Sequence, residues 1–347
     1  MSTEIPGESC AAEGNGQTGA DAKTGRVVAS SFRPAWWLPG PHLPTVWAAV
    51  ARTAPTVDLE WERLDTPDGD FVDLAWHGPE SGPIVLILHG LEGGHASTYT
   101  SGMLRAFAAR GWRGVLMHFR SCGRDPNRLD QSYHSGAIDD PAFVLETLRQ
   151  RFPGRPIAAN GYSLGGNVLL RLLAEQGKDS MLAAAVAVSV PYQLYTACTR
   201  MNRGLSRLYQ RRLLNSLKRK YAAKFADGGG PAPVEAVERM TDFFEFDDAV
   251  TAPLHGFSGA HDYYRRCSSR PVLNRIARPT LLIHSPDDPF MTPAVIPGAP
   301  ELAPSVTLEL TRGGGHVGFV GGAVPGRGRY WLEQRVPDFI AQYLQTD

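Results

Sequence analysis

PIAANGYSLGGNVLLRLLA, residues 156–174, sets a serine between a short apolar run and an amphipathic stretch. Its first four residues are typical of a buried strand, and residues 167–174 carry leucine and valine at helical spacing. Gly161 and Gly165 flank Ser163 in a Gly-x-Ser-x-Gly pattern, where larger side chains would collide with neighbouring backbone. This setting predicts a nucleophile elbow, although a tight turn or chance also produces so short a pattern.

A continuous apolar run without alternation at Ile84–Leu88 predicts a strand that is covered on both faces. An Asp-Gly turn between Trp61–Leu64 and Phe71–Trp76 predicts an antiparallel hairpin. The other predicted strands are Ile84–Leu88, Val115–Phe119, Ala183–Val190, Thr280–His284 and Val306–Leu310, and helices are predicted at Met103–Arg110 and Pro141–Arg151. Strands that alternate with helices predict an α/β fold, with a mostly parallel central sheet and helices on both faces.

The length of 347 residues and the hydrophobic content of 43% allow one large core. Residues 1–30 have almost no large apolar side chain, so we expect a disordered tail followed by one domain over residues 31–347. Residues 31–55, rich in tryptophan and proline, are expected to pack onto this domain as an arm. Residues 191–270 break the strand-helix alternation, and we expect a helical insertion that caps the C-terminal edge of the sheet.

Charge is balanced over the chain, with 35 lysine plus arginine and 35 aspartate plus glutamate residues. No overall field therefore favours nucleic acid or an acidic partner. Residues 199–225 depart from this balance, because they carry basic residues and leucine at helical spacing and no acidic residue. Such a face is most often solvated. The alternative is weak peripheral contact of residues 200–224 with an anionic membrane.

The cysteines are scattered outside metal-ligand spacing, which favours reduced thiols over a zinc ribbon or a disulfide framework. They are Cys10, Cys122, Cys198 and Cys267. Residues 1–30 lack the apolar core of a secretory signal, and no later stretch reaches the roughly 18 apolar residues of a membrane span. We expect a soluble, cytoplasmic protein.

A nucleophilic serine needs a histidine base that is oriented by a carboxylate. On a parallel sheet with a nucleophile elbow, the acid and then the histidine follow the serine, each after a later strand. Asp287 and Asp288 follow one predicted strand, and His316 lies in a glycine-rich loop after the next. We assign the orienting role to Asp288 because it lies further along the turn. Asp287 stays open, and either aspartate could cap a helix instead.

Acyl transfer also needs N–H donors for the developing oxyanion. They usually come from the residue after the nucleophile and from the loop after an early strand. Leu164 and Leu91 occupy these positions, and we predict that their N–H groups form the oxyanion hole. Residues predicted to contact the substrate are His89, Gly90, Glu92 and Tyr162, with a surface role as the alternative for Glu92.

Several segments besides the three candidate catalytic residues occur in a characteristic order. They are HGLEGG (89–94), FRSC (119–122), PNRL (126–129), SYHSG (132–136), GYSLGGN (161–167), DDAVTAP (247–253), DDPF (287–290) and GGHVGF (314–319). From about residue 30 onward, the chain resembles the YheT-like α/β-hydrolases, which include mammalian α/β-hydrolase-domain lipases. The resemblance implies the α/β-hydrolase fold and esterase or lipase activity. Some relatives are thought to carry an acyltransferase His-x4-Asp pattern, and His134 and Asp139 match its spacing.

The sequence thus predicts a serine hydrolase that cleaves carboxylic esters of short- to medium-chain acids or lipids, without metal or cofactor. Its partner is a small-molecule or lipid ester. Two alternatives stay open: an acyltransferase that uses the same triad, and a non-catalytic lipid-binding protein on a hydrolase scaffold. The complete triad disfavours the second alternative, because a binding protein does not need all three groups.

Overall fold

The computed structural model describes residues 24–344, so most of the predicted tail over residues 1–30 lies outside the described residues. Within this part, nine strands form one sheet and two form a small hairpin. The strands are β1 (Arg26–Ala29), β2 (Glu60–Asp65), β3 (Phe71–His77), β4 (Ile84–Leu88), β5 (Arg113–His118), β6 (Ile157–Tyr162), β7 (Ala184–Val188), β8 (Thr280–His284), β9 (Val306–Leu310), β10 (Val320–Gly321) and β11 (Arg329–Tyr330).

The longest helix has 19 residues and lies between β7 and β8. The α-helices are α1 (His42–Val46), α2 (Thr98–Ala108), α3 (Asp139–Arg151), α4 (Leu164–Gln176), α5 (Leu194–Met201), α6 (Ser206–Lys224), α7 (Val234–Arg239), α8 (Phe243–Phe246), α9 (Ala252–Leu254), α10 (Ala260–Cys267) and α11 (Leu332–Ile340). Short π-helical turns extend α1 over Trp47–Ala51 and α8 over Asp247–Thr251. Short 3-10 turns are Gly177–Asp179, Arg270–Arg275, Pro293–Val295 and Ala299–Glu301.

The central sheet has the order β1-β9-β8-β7-β6-β4-β5-β3-β2. Only β3 runs antiparallel to its neighbours β5 and β2, and the remaining pairs are parallel. Every residue of β4 is inaccessible to solvent, as its unbroken apolar sequence predicts. Alternate side chains of β4 enter two cores, one shared with α3 and α4 and the other with α2 and α11. The predicted mostly parallel sheet with helices on both faces is therefore confirmed.

The predicted hairpin is formed by β2 and β3, which pair from Glu60↔Trp76 to Asp65↔Phe71. Gly69 has a φ of 88° in the connecting turn, a conformation that an L side chain rarely adopts. The hairpin sets two antiparallel strands at one edge of the parallel sheet.

The predicted limit of the tail at residue 30 is wrong. Arg26–Ala29 form β1, which pairs in parallel with β9 at the other edge of the sheet. Ser30 continues this contact, because its N–H donates to the Leu310 carbonyl at 2.8 Å and its hydroxyl donates to Glu309 at 2.6 Å. All four β1 side chains are exposed. Backbone pairing, and not burial, holds this strand, and apolar content does not reveal it.

Residues 191–270, here named the cap segment, connect β7 to β8 and form helices α5 to α10. The arm before β2 contains α1, and Trp37 and Trp47 stack edge to face within it at 4.8 Å. Cys122, Cys198 and Cys267 are free thiols. None of the helices within residues 24–344 combines the length and apolarity that crossing a bilayer requires.

Candidate active site

Ser163 forms the turn between β6 and α4 with a φ of 50° and a ψ of −118°. This strained conformation is held from both sides: the Ser163 N–H donates to the Val188 carbonyl at 2.8 Å, and its carbonyl accepts the Asn167 N–H at 3.0 Å. A Cβ on Gly161 would lie 2.6 Å from a backbone oxygen, and one on Gly165 would lie 2.4 Å from two carbonyls at the end of β4. Both glycines are therefore required sterically, and the turn presents the Ser163 hydroxyl away from the sheet.

The His316 ring bridges Ser163 and Asp288. Its Nε2 lies 3.0 Å from Ser163 Oγ, and its Nδ1 lies 2.8 Å from Asp288 Oδ2. Asp288 is 3% exposed, and its second oxygen accepts the Phe290 N–H at 2.8 Å. A carboxylate at Nδ1 favours the tautomer in which Nδ1 carries the proton and Nε2 can accept one from the serine.

The two aspartates of the loop after β8 face different groups. Asp287 does not contact the His316 ring; its Oδ1 accepts the Ser285 hydroxyl at 2.5 Å and the Gly315 N–H at 3.1 Å. Asp288 alone faces the imidazole, whereas Asp287 holds the backbone of the histidine loop. Of the two aspartates that the sequence left open, Asp288 is the one that contacts the His316 ring.

Three residues that sequence reasoning missed also hold the histidine. The Thr45 hydroxyl accepts the His316 N–H at 2.9 Å, and the Ser189 hydroxyl accepts the Val317 N–H at 3.0 Å. The Phe290 ring stacks on the imidazole, with centroids 3.9 Å apart and planes within 7°. The arm that carries Thr45 is therefore part of the site. Its only signal in the sequence was a threonine inside the aromatic segment.

The loop after β4 lies beside the nucleophile, since a Cβ on Gly90 would be 3.4 Å from Ser163 Cβ. The N–H groups on either side of Leu91 donate to tyrosine hydroxyls at 2.9 and 2.7 Å. Residues 24–344 supply no hydrogen-bond acceptor for the N–H of Leu91 or of Leu164. Both groups are available as donors, as an oxyanion hole requires.

Glu92 ties this loop to the cap segment. Its side chain is 5% exposed and accepts hydrogen bonds from Lys220 Nζ at 2.8 Å, Ser216 Oγ at 2.5 Å and Tyr133 Oη at 3.0 Å. Glu92 also has a φ of 56°, in the left-handed region that non-glycine residues rarely adopt. Helix α6 therefore helps to fix the backbone next to Leu91.

The residues predicted to contact the substrate divide into two groups. Gly90, Glu92 and Tyr162 line the cavity over Ser163. His89 does not: it is inaccessible to solvent, its Nδ1 donates to the Gly90 carbonyl at 2.7 Å, and its Nε2 accepts a backbone N–H at 3.1 Å. Burial lowers the pKa of His89 to about 3, which keeps the ring neutral. This placement contradicts the predicted substrate contact, because the ring lies behind the loop.

The His-x4-Asp pattern lies outside this cavity. Nδ1 of His134 accepts the Gly136 N–H at 3.1 Å, and its ring lies 4.4 Å from that of His255. Burial lowers the pKa of His134 to about 3. Asp139 begins α3. Neither residue contacts the bridge between Ser163 and Asp288.

A cavity of about 410 Å³ contains Ser163 and His316 in its wall. Its lining includes apolar residues of the arm and one face of α6. The arm residues are Val46, Ala48, Ala49 and Val50, and those of α6 are Tyr209, Arg212, Leu213, Ser216 and Arg219. The cavity is large enough for a small ester and has chemically different walls.

Known proteins share this fold and much of this sequence. A family model described as "alpha/beta hydrolase fold" matches residues 83–323. "Putative esterase YheT" of Escherichia coli strain K12 is 46% identical over 311 residues, covering 88% of this chain and 91% of that protein. "Phospholipase ABHD3" of Homo sapiens is 26% identical, covering 88% and 77%. The solved Pyrococcus furiosus esterase Pf2001 has a TM-score of 0.53 at 17% identity, covering 83% and 92%, a likeness of fold alone.

Proposed function

The chain belongs to the α/β-hydrolase family, and from this premise we propose that it is a serine hydrolase that cleaves carboxylic esters through an acyl-enzyme. The resemblance to the YheT-like group is confirmed by the match over 88% of the chain. One observation carries the proposal: the His316 ring lies 3.0 Å from Ser163 Oγ and 2.8 Å from Asp288.

In the first step, Ser163 Oγ attacks the ester carbonyl while His316 Nε2 accepts the hydroxyl proton. Asp288 stabilises the imidazolium that forms and preserves its orientation. The carbonyl oxygen becomes an oxyanion, and the N–H groups of Leu91 and Leu164 donate to it. The protein supplies these donors before the reaction begins, so little reorganisation is needed.

In the second step, the tetrahedral intermediate collapses and the carbon–oxygen bond to the alcohol breaks. His316 returns its proton to the leaving oxygen, and the acyl group stays on Ser163. A water molecule then gives a proton to His316 and attacks the acyl carbonyl. When the bond between the acyl carbon and Ser163 Oγ breaks, His316 returns that proton to Oγ and the free acid is released. Each step uses protein groups and water.

A fluorophosphonate probe tests the nucleophile, since it forms a covalent bond with an activated serine. We expect labelling of the folded wild-type protein and none of the Ser163→Ala variant. Ser258→Ala is a matched control, because Ser258 is exposed in the cap segment and should leave labelling intact. Absence of labelling in folded wild type, or equal labelling of Ser163→Ala, would refute the assignment.

Short- to medium-chain acyl esters are the proposed substrates, because the cavity of about 410 Å³ has an apolar wall. Rates for p-nitrophenyl esters of increasing acyl length should pass through a maximum and fall for longer chains. Addition of glycerol or lysophospholipid distinguishes acyl transfer: we expect free acid as the product, and a new ester would favour the acyltransferase.

Weak contact with an anionic membrane remains a second proposal for α6. Arg207 and Arg211 are exposed, whereas Lys220 and Lys224 turn towards the body of the protein. The Lys224 ammonium donates to the Asn127 carbonyl at 2.5 Å. Any attraction to lipid therefore depends on the arginines of the helix rather than on its lysines.

A further inference from the structure

We infer that Arg212 and Arg219 of α6 form a subsite for an anionic group of the ester substrate. The inference rests on the proposed function and names the substrate class of the same site. The group is a carboxylate or a phosphate, carried either by a soluble ester or by a lipid head group.

The acidic residues in the wall of the cavity are already paired with basic side chains. Glu92 is paired with Lys220 at 2.8 Å, and Glu333 is paired with Arg52. Glu92 also accepts hydrogen bonds from the hydroxyl groups of Tyr133 and Ser216, so its charge is balanced within the protein. The acidic groups of this wall therefore do not provide a counter-charge for other basic side chains.

Two basic residues of α6 belong to the same cavity wall. Arg212 and Arg219 line the cavity, and both are exposed. Within residues 24–344, neither guanidinium forms an ion pair. Residues 199–225 contain no acidic residue that could neutralise them. Among the residues that the structure describes, the cavity thus presents two positive charges without a counter-charge, and a bound anion would supply one.

The two arginines lie on a helix face that is fixed over the cavity. They are two helical turns apart, about 10 Å along the axis, so both project towards the same side. Tyr209 Oη lies 3.1 Å from His42 Nδ1 at one end of this face, and Lys220 pairs with Glu92 at the other. Each guanidinium can form two parallel hydrogen bonds with two oxygens of a carboxylate or a phosphate, so two arginines on a helix that is held in place suit such a ligand.

The arm lines another part of the cavity. Val46, Ala49 and Val50 of the arm are apolar and face the same space. A substrate with a hydrocarbon portion and an anionic portion would satisfy both walls. A neutral ester would contact only the apolar residues of the arm, and the arginines would remain hydrated.

Two pairs of soluble esters test the inference, each with one anionic and one neutral member. The first pair is mono-p-nitrophenyl adipate and p-nitrophenyl hexanoate, which differ by a charge on the acyl side. The second is 3-carboxyphenyl hexanoate and 3-carbamoylphenyl hexanoate, which differ on the alcohol side. We expect kcat/KM of the wild type to favour the anionic member of at least one pair by about 10-fold.

In the double variant Arg212→Gln/Arg219→Gln, the ratio of kcat/KM for the anionic member to kcat/KM for the neutral member should fall from about 10 to about 1. Arg207→Gln/Arg211→Gln is the matched control, since it removes the same charge from exposed positions of α6 outside the cavity wall. The control should retain the preference. If wild type hydrolyses none of the four esters, the result refutes the proposed function and not the subsite alone.

Sedimentation with vesicles of phosphatidylglycerol and phosphatidylcholine distinguishes a substrate subsite in the cavity from general attraction of α6 to a membrane surface. If Arg212→Gln/Arg219→Gln loses selectivity for soluble anionic esters, the two arginines bind substrate. If soluble selectivity is unchanged and both double variants sediment less with the vesicles, the arginines serve a lipid surface and the subsite is refuted. Equal kcat/KM for both members of each pair in wild type would also refute it.

Discussion

The loops that carry Ser163, Asp288 and His316 and the cap segment that covers them are held in different ways. These loops follow the ends of β6, β8 and β9: left-handed residues and close-packed glycines fix the loops of Ser163 and His316, and hydrogen bonds such as that from the Asp288 N–H to the Ser285 carbonyl at 3.0 Å fix the loop of Asp288. The cap segment meets the catalytic side of the body through a few side chains, such as Lys220 to Glu92 at 2.8 Å and Ser206 to the Pro289 carbonyl at 2.5 Å. The scaffold thus holds Ser163, Asp288 and His316 in place, and the cap segment is positioned to contact the substrate.

The largest effect is expected within the catalytic loops. Asp288→Asn should lower kcat by about 10⁴-fold, because the amide no longer holds the imidazole in the productive tautomer. Asp287→Asn is the matched control and should cost far less, since Asp287 contacts the loop backbone and not the ring. Kinetics on a p-nitrophenyl ester, with the melting temperature of each variant, measure this. Equal losses in both variants would contradict the assigned roles.

The second effect concerns an ion pair in the body. Arg120 is buried and donates to Asp140 at 2.6 and 2.8 Å and to Asp68 at 2.6 Å. Arg120→Met leaves these carboxylates without their partner and should lower the free energy of unfolding by about 3–5 kcal/mol. Urea denaturation measures the change. A loss below about 1 kcal/mol would show that the ion pairs of Arg120 contribute little to stability.

A smaller effect is expected where the cap segment meets the body. Lys220→Met removes the positive partner of Glu92 and loosens the loop that carries Leu91, so kcat should fall by about 10-fold with little change in KM. Unfolding should change by only about 1 kcal/mol, because Lys220 is partly exposed.

The double variant Glu92→Gln/Lys220→Met completes a thermodynamic cycle for this contact. If the pair positions the loop, the double variant should lose less activity than the product of the two single losses. Multiplicative losses would show that the two residues act independently, and that the cap segment does not influence the oxyanion loop.

The smallest effect is a pH dependence of the body. Burial lowers the pKa of His118 to about 4, and its ring bonds to the backbone of Asp73 and of His95. The unfolded chain takes up this proton near pH 6.5 and the folded chain only near pH 4, so stability is lost as the pH falls through this window. His118→Gln should flatten the fall in melting temperature between pH 7 and 5, whereas His77→Gln, with solvent contact, should not. Equal slopes would contradict the claim.

The same contrast explains what could be predicted from sequence. An unbroken apolar run marks β4, and segments rich in leucine, isoleucine and valine mark β8 and β9. The order of strands locates Ser163, Asp288 and His316 because each follows a strand end. Thr45 was missed because it lies 271 residues from His316, and no local pattern encodes that contact. His89 was misassigned because a motif does not tell which side of a loop a ring occupies.

Within the cap segment, the basic composition was evident from the sequence, but its arrangement was not. Only the rotation of α6 shows that Lys220 turns towards Glu92 while Arg212 and Arg219 line the cavity. Strand β1 was missed for a related reason, since its four residues, with Val27 and Val28 exposed, are held by backbone pairing with the distant strand β9. Backbone pairing and the orientation of a helix depend on contacts distant in sequence.

Trapping the acyl-enzyme tests the central claim most directly. Rapid mixing of the protein with excess p-nitrophenyl ester, followed by acid quench and peptide mass spectrometry, locates the acyl group. We predict a burst of about one equivalent of p-nitrophenol and an acyl adduct on Ser163. An adduct on another residue would contradict the claim that Ser163 is the nucleophile. The same claim would fail if wild type turned over the ester with no adduct and no burst and Ser163→Ala turned it over equally fast.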